Sequence, residues 1–117
     1  MALSANTHDS TKVYNASVNA TAAEVTNNPN VLIYGIALFN TTGAAAYLQI
    51  FDADADDVTV GTTVPTASIG NAIGAAFSVE FSKPIRFTTG LTIASTTTRS
   101  GATNAAQEVT ITYMDEA

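Results

Sequence analysis

Polar and apolar residues alternate along this chain with the short period of β-strands. KVYNASV (12–18) alternates loosely, and TAAEVT (21–26) follows and runs into NNPN (27–30), a turn signal. VLIYGIALF (31–39) is nearly continuous apolar sequence, the pattern of a strand covered on both faces. NTTGAA (40–45) supplies turn chemistry before AYLQIF (46–51), which predicts a hairpin over 31–51. DVTV (57–60) precedes Gly61 and TVPTASI (63–69), where Pro65 cannot donate to a ladder and so predicts an edge or irregular strand. GNAIGAA (70–76) reads as a connection. In FSVEF (77–81), Phe77, Val79 and Phe81 are expected inward, with Ser78 and Glu80 outward.

SKP (82–84) predicts another turn, and IRFTTGLTIAST (85–96) reads as two segments broken at Thr89-Gly90. RSGATNAA (99–106) is a loop, and EVTITYM (108–114) closes the chain with Val109, Ile111 and Tyr113 on one face. No stretch of helical length carries helical spacing; NAIGAAF approaches it, and its two glycines weaken it. About eight short antiparallel strands predict an all-β fold, a β-sandwich of jelly-roll-like form. Residues 1–11 read as a flexible N-terminal arm, of a kind that orders on binding and can reach a neighbouring subunit. Residues 12–117 are expected to form a single β-sandwich domain.

The face assignment of 31–39 raises a packing problem. Strict alternation puts Leu32, Tyr34, Ile36 and Leu38 on one side and Val31, Ile33, Gly35, Ala37 and Phe39 on the other. A small sandwich cannot bury both sets alone, and the same question attaches to Tyr47, Gln49 and Phe51. Leu32, Tyr34, Ile36, Tyr47 and Phe51 are therefore the expected contacts to other subunits.

Charge sharpens this expectation. Charged residues are 12% of the 117, against about 25% in a typical soluble domain. Thr, Ala, Ser and Asn stand in their place, and a surface so built is poorly defended against association. The net charge of −6 and a pI near 4.2 argue against nucleic acid, which needs clustered cations; Lys12, Lys83, Arg86 and Arg99 are scattered. No apolar run approaches the roughly 20 residues of a membrane span, and MALSANTHDST lacks the pattern of a secretory signal. Without cysteine, neither a disulfide framework nor a thiolate metal site is possible.

Candidate chemistry is sparse. FDADADD (51–57) invites comparison with a calcium loop, whose oxygen ligands alternate. Counted from Asp52, however, Asp57 stands at the required glycine and Thr63 at the required glutamate. The stretch reads instead as the solvated exit from a buried strand, with Asp52, Asp54 and Asp56 as the calcium candidates if an ion binds at a subunit junction. His8 lies in the arm beside Asp9 and Ser10, and sequence neighbours there cannot hold a nucleophile and base in register. Glu24, Glu80 and Glu108 offer no selected pair for glycoside hydrolysis. GNAIG lacks the residues of a phosphate loop. The sequons at Asn15, Asn19 and Asn40 carry meaning only in a secreted eukaryotic protein. No catalytic site and no cofactor are expected.

One ordered set of segments goes beyond composition. LIYGIALFNTTGAAAYLQIFDA (32–53), VGTTVPTASI (60–69) and KPIRFTTGLTIASTTT (83–98) resemble small β-sandwich virion proteins of tailed bacteriophages, over roughly residues 31–114. Lys83-Pro84 stands where Gly or Pro-Gly is usual there, and FDADADD is more acidic. The resemblance implies a non-enzymatic capsid decoration, or cement, protein made in the bacterial cytoplasm. It would be homotrimeric and bound to the major capsid protein on the outer surface of the head, with no nucleic-acid or membrane partner. The readings that compete are a receptor- or carbohydrate-binding β module and a neck- or tail-associated virion protein.

Overall fold

A computed structural model of the protein describes residues 11–116; residues 1–10, which include most of the expected arm and His8, lie outside it. The eight strands are β1 (Lys12–Val18), β2 (Ala23–Thr26), β3 (Val31–Phe39), β4 (Ala46–Phe51), β5 (Ala67–Asn71), β6 (Ala76–Phe87), β7 (Leu91–Thr96) and β8 (Gln107–Asp115). They form two antiparallel four-stranded sheets, ordered β1-β8-β3-β6 and β2-β7-β4-β5. Only β4 and β5 are both consecutive in the chain and hydrogen-bonded to one another. Every other connection crosses between sheets. Two interleaved Greek keys of this order make a jelly roll, so the expected fold class holds.

The expected hairpin over 31–51 does not form. β3 pairs with β6 and β8, and β4 with β5 and β7, in the opposite sheet. NTTGAA does reverse the chain, but across the sandwich rather than along one sheet. Asn40 fixes that crossing. Fully buried, it donates from Nδ2 to the carbonyls of Ala44 (2.8 Å), Asn71 (3.1 Å) and Ala72 (3.1 Å). Its Oδ1 accepts from the Thr42 amide and hydroxyl, each at 2.9 Å. One amide thereby ties the β3–β4 crossing to the β5–β6 connection. Buried beyond reach of a glycan, Asn40 is no acceptor site.

The two-sided apolar strand is explained by a bulge. On β3, Ile33 pairs with Tyr113 and Gly35 with Thr112, so Tyr34 is one residue extra against β8. An inserted residue reverses the facing of everything after it. Val31 and Ile33 point inward before it, Ile36 and Leu38 after it, and all four join the core with Leu48, Ile50, Leu91, Ile93, Val109 and Ile111. Strict alternation groups Ile36 and Leu38 with Leu32; the bulge overturns that grouping. Against β6 the break is wider, because Ile33 pairs with Ile85 and Gly35 with Glu80. The expected SKP turn is this excursion of Phe81–Pro84 within one strand. It breaks the ladder but does not end the strand.

β5 and β6 are the edges of their sheets along the same flank, as Pro65 just before β5 anticipates. Phe77, Val79 and Phe81 point inward but stay partly exposed, since no strand among the described residues closes the sandwich there. Polar interior groups cluster at the end of the sandwich near Asn40. Gln107 Nε2 donates to Ser95 Oγ at 3.0 Å, Ser95 Oγ donates to the Ala105 carbonyl, and Asn71 Nδ2 donates to the Ala75 carbonyl at 2.9 Å.

Replacing Asn40 by alanine removes five hydrogen bonds made by one fully buried side chain. The variant is expected to lose about 2–3 kcal/mol of unfolding free energy. Exposed Asn27→Ala is expected to stay within about 0.5 kcal/mol. Urea denaturation of both variants measures the difference.

Candidate functional site

The acidic stretch ends β4 and turns into a short 3-10 turn, Ala55–Asp57. Asp52 is engaged within the fold. Its Oδ1 accepts from the backbone N–H groups of Thr88 (3.1 Å), Thr89 (2.8 Å) and Gly90 (3.3 Å), and its Oδ2 also accepts from Thr88. A carboxylate receiving several amides of one turn acts as a clasp, here holding the β6–β7 connection. Gly90 is required for the closeness of the fit: a Cβ there would lie 2.8 Å from Asp54 Oδ1 and 3.1 Å from the Ala53 carbonyl. Thr92 Oγ1 donates to that same carbonyl at 2.7 Å. Asp56 and Asp57 are exposed to solvent. Among the described residues, no three His, Asp or Glu side chains converge as metal ligands, so the structure does not gather Asp52, Asp54 and Asp56.

The two sheets differ in what covers their outer faces. The outside of β2-β7-β4-β5 is roofed by the chain itself. Gln49, wholly buried, donates from Nε2 to Thr96 Oγ1 (2.6 Å) and to the Gly101 carbonyl (2.9 Å). Ser68 Oγ donates to the Arg99 carbonyl at 3.0 Å, which anchors the same loop over β5. The 52–66 segment is fastened by Thr66, whose amide donates to the Ile50 carbonyl at 2.8 Å and whose Oγ1 accepts from the Asp52 amide at 3.0 Å. With Leu91, Ile93 and Ser95 turned to the interior and Thr92, Ala94 and Thr96 under this cover, all six residues of β7 are buried.

The outside of β1-β8-β3-β6 has no such roof among the described residues. Its register forms three rows across the sheet: Ser17–Glu108–Phe39–Ala76, Asn15–Thr110–Ala37–Ser78 and Val13–Thr112–Gly35–Glu80. Of these twelve positions, only Glu80 and Glu108 carry charge. Phe39 is 49% exposed and Val13 66%. Over Gly35, which presents no side chain, lies a shallow depression of about 320 Å³ bordered by Tyr34, Glu80, Phe81, Thr110 and Thr112. At one end of this sheet Lys12 bridges to Asp115 at 3.0 Å, and the hydrogen bond to that carboxylate raises the Lys12 pKa. Burial raises that of the neighbouring Tyr113 phenol.

The five expected contact residues divide. Ile36 and Phe51 are held in the protein's own interior, at 4% and 1% exposure. Leu32 faces outward but is nearly buried, in register with Arg86 and Met114. Tyr34, at the bulge, is half-exposed on the open face. Tyr47 is half-exposed on the other sheet, its ring lying over Gly70, where a Cβ would come within 2.9 Å of it. The open face itself was not legible in the sequence, because its members are small and polar. The alternation of Thr110 and Thr112 in the last strand was the one signal available.

No protein-family profile and no curated protein matches the chain. Three solved structures are similar in outline. The coat protein of Tobacco streak virus is 12% identical, with 97% of this chain and 92% of that chain covered and a TM-score of 0.43. A Bacillus endospore appendage protein, from disulfide-linked pili, is 18% identical over 99% of this chain and 100% of that chain, also at 0.43. A chain of the cyanophage Pam1 capsid asymmetric unit is 19% identical over 97% and 92%, at 0.35. At these scores none of the three bears on what this chain does.

Removal of the clasp in Asp52→Ala is expected to lower stability by about 2–3 kcal/mol, since several charge-assisted bonds to the 88–90 turn go at once. Asp57→Ala, in solvent at the end of the 3-10 turn, is expected to change it by less than about 0.5 kcal/mol. Chemical denaturation of the two variants side by side checks the contrast.

Proposed function

We propose that this chain is a non-enzymatic structural protein of a phage virion. In this reading it is a decoration or cement protein that sits as a homotrimer on the outer surface of the major capsid lattice. The observation that carries the reading is the asymmetry of the two outer faces. One sheet is covered by the chain's own loops, while the other offers small hydroxyl, methyl and amide groups set with Tyr34, Phe39 and Val13, charged in its three rows only at Glu80 and Glu108. Such a face loses little on desolvation, because it has few ions to strip of water. The ordered resemblance of 32–53, 60–69 and 83–98 to small phage virion proteins supports the same assignment, and a jelly roll suits it. Many weak contacts of modest area, each repeated over a lattice, add up to firm attachment. Tyr34 and Leu32 belong to this face; Tyr47 marks a second patch suited to contact between copies.

The oligomer and the capsid contact are tested separately. Light scattering of the purified chain is expected to give three times the chain mass of 12.0 kDa, and a stable monomer at micromolar concentration counts against the trimer. Co-sedimentation with heads that lack the protein is expected to recover it. Thr110→Arg, in the middle of the open face, should then weaken binding roughly tenfold or more with an unchanged melting temperature, because an unpaired cation would be enclosed. Thr103→Arg, on the roofed side, should bind as the parent does. Equal binding by both variants removes the open face from the proposal.

A second reading, a carbohydrate-binding module, is favoured by the depression over Gly35, which Tyr34 borders together with Glu80, Thr110 and Thr112. An aromatic flank beside polar groups is the usual make-up of a sugar site. Glycan-array binding that is lost in Tyr34→Ala would establish it, and a blank array discards it.

A further inference from the structure

The first half of β6 is an unguarded sheet edge. Among the described residues β6 pairs with β3 alone, and Ala76–Glu80 holds no proline, lysine or bulge, the usual protections of a free edge. Two contacts give its bonding phase. The Asn40 amide donates to the Ala75 carbonyl at 3.0 Å, and the Val79 carbonyl would lie 3.3 Å from a Cβ on Gly35 of β3. Backbone groups of alternate residues point to opposite sides of a strand, so Ala75, Phe77 and Val79 bond toward β3. The N–H and C=O groups of Ala76, Ser78 and Glu80 therefore face the open side.

We propose that this edge pairs with the same edge of a second copy, antiparallel about a two-fold axis at Ser78. The segment is self-complementary in that register. Ser78 meets the partner's Ser78, and Ala76 meets the partner's Glu80 on either side, with two backbone hydrogen bonds at each of these pairs. Glu80, the one charge in the segment, faces no like charge. On the inward side Phe77 meets the partner's Val79, and Val79 the partner's Phe77. Both residues border the apolar cleft of about 500 Å³ that opens between β5 and β6 beside Ile69, Phe81 and Ile85. The two clefts then close over one another, each covered by the apolar row of the other copy.

The same register extends past the strand. Five residues from the axis it sets Ile73, 62% exposed in the β5–β6 turn, beside the partner's Phe81–Ile85 stretch, where Ile85 is 42% exposed. The exposed apolar residues of this flank thus serve as both knob and socket, which selects a second copy as the occupant. From Ile73 to Lys83 the strip is about 33 Å long and about 15 Å deep, one inter-sheet spacing plus one strand spacing. The pair therefore buries roughly 1,000 Å², the lower bound of a specific interface. Such a contact forms where copies are concentrated, as on a lattice. It stands apart from the proposed trimer, and the failure of either leaves the other intact. Through it the sheet β1-β8-β3-β6 runs into its twin, and two open faces become one.

The chain has no cysteine, so single substitutions report the register. Paired Cα atoms on the axis lie about 5.5 Å apart, within disulfide reach. Ser78→Cys, oxidised mildly in concentrated solution, is expected to give a covalent pair at twice the chain mass of 12.0 kDa on a denaturing gel. Ala76→Cys and Glu80→Cys each lie about 14 Å from their own symmetry mates and should stay single, while a mixture of the two should cross-link. A Ser78→Cys chain that stays single leaves the edge to a strand of another protein and defeats the proposal, as do equal yields from all three variants. Sedimentation of the full chain gives a second readout. Ala76→Lys, opposite the partner's Glu80, should strengthen self-association several-fold, and Ala76→Glu should weaken it several-fold. Equal association by these two variants also overturns the pairing.

Discussion

A single extra residue at Tyr34 governs how this sandwich is put together. Without it, β3 would carry Val31 and Ile33 into the core and then Gly35, Ala37 and Phe39, leaving Ile36 and Leu38 outside. The bulge exchanges these sets at mid-strand, so that Val31, Ile33, Ile36 and Leu38 all reach the interior. The residues turned outward are consequently small or aromatic. Gly35 and Ala37 keep the middle of the outer face low. A Cβ at position 35 would already lie 3.3 Å from the Val79 carbonyl and 3.8 Å from the Glu80 stem, so the glycine lets β6 approach closely there. One register shift thus decides both the content of the core and the relief of the open face.

A second constraint concerns polarity. The low charge content reads, in sequence, as a surface left open to association, and this holds for one sheet only. On the other, the same Thr, Ser, Asn and Gln residues are interior groups. Gln49, Thr92 and Thr96 are buried, and hydrogen bonds to loop carbonyls hold the roof in place. Charged side chains could not replace them, because an ion enclosed under a loop would lack compensation. Charge deficit therefore has two physical sources in one chain: enclosed polar fasteners on one side and, on the other, an exposed face whose three rows are charged only at Glu80 and Glu108.

Strand positions were legible because they rest on local alternation. KVYNASV, VLIYGIALF and AYLQIF coincide with β1, β3 and β4 to the residue, and the break at Thr89-Gly90 is the β6–β7 turn. Pairing was not legible. NTTGAA signals a reversal, but nothing local says whether the next strand returns beside its predecessor or crosses to the opposite sheet. That choice is made by long-range partners, above all the carbonyls of Asn71 and Ala72 that receive the Asn40 amide. The bulge was hidden for the same reason. Tyr34-Gly35 looks like ordinary strand until Tyr113 and Thr112 are set beside it. The acidic stretch shows the limit most plainly, since Asp52 has meaning only in company with Thr88, Thr89 and Gly90, which are distant in the chain.

This last contact links segments that composition treats as unrelated. FDA at the end of β4 and TTG between β6 and β7 belong to the two longest stretches of the ordered resemblance, and they meet at one carboxylate. A clasp of this kind needs an acceptor that can take several amides at once, which a neutral side chain cannot do as strongly. It also needs a residue without Cβ at position 90. Both requirements are structural, and both would be met whatever the open face binds. The recognisable motifs of this chain accordingly specify how the jelly roll closes, while its partner is left to the plain Thr, Ser and Ala residues of the opposite sheet.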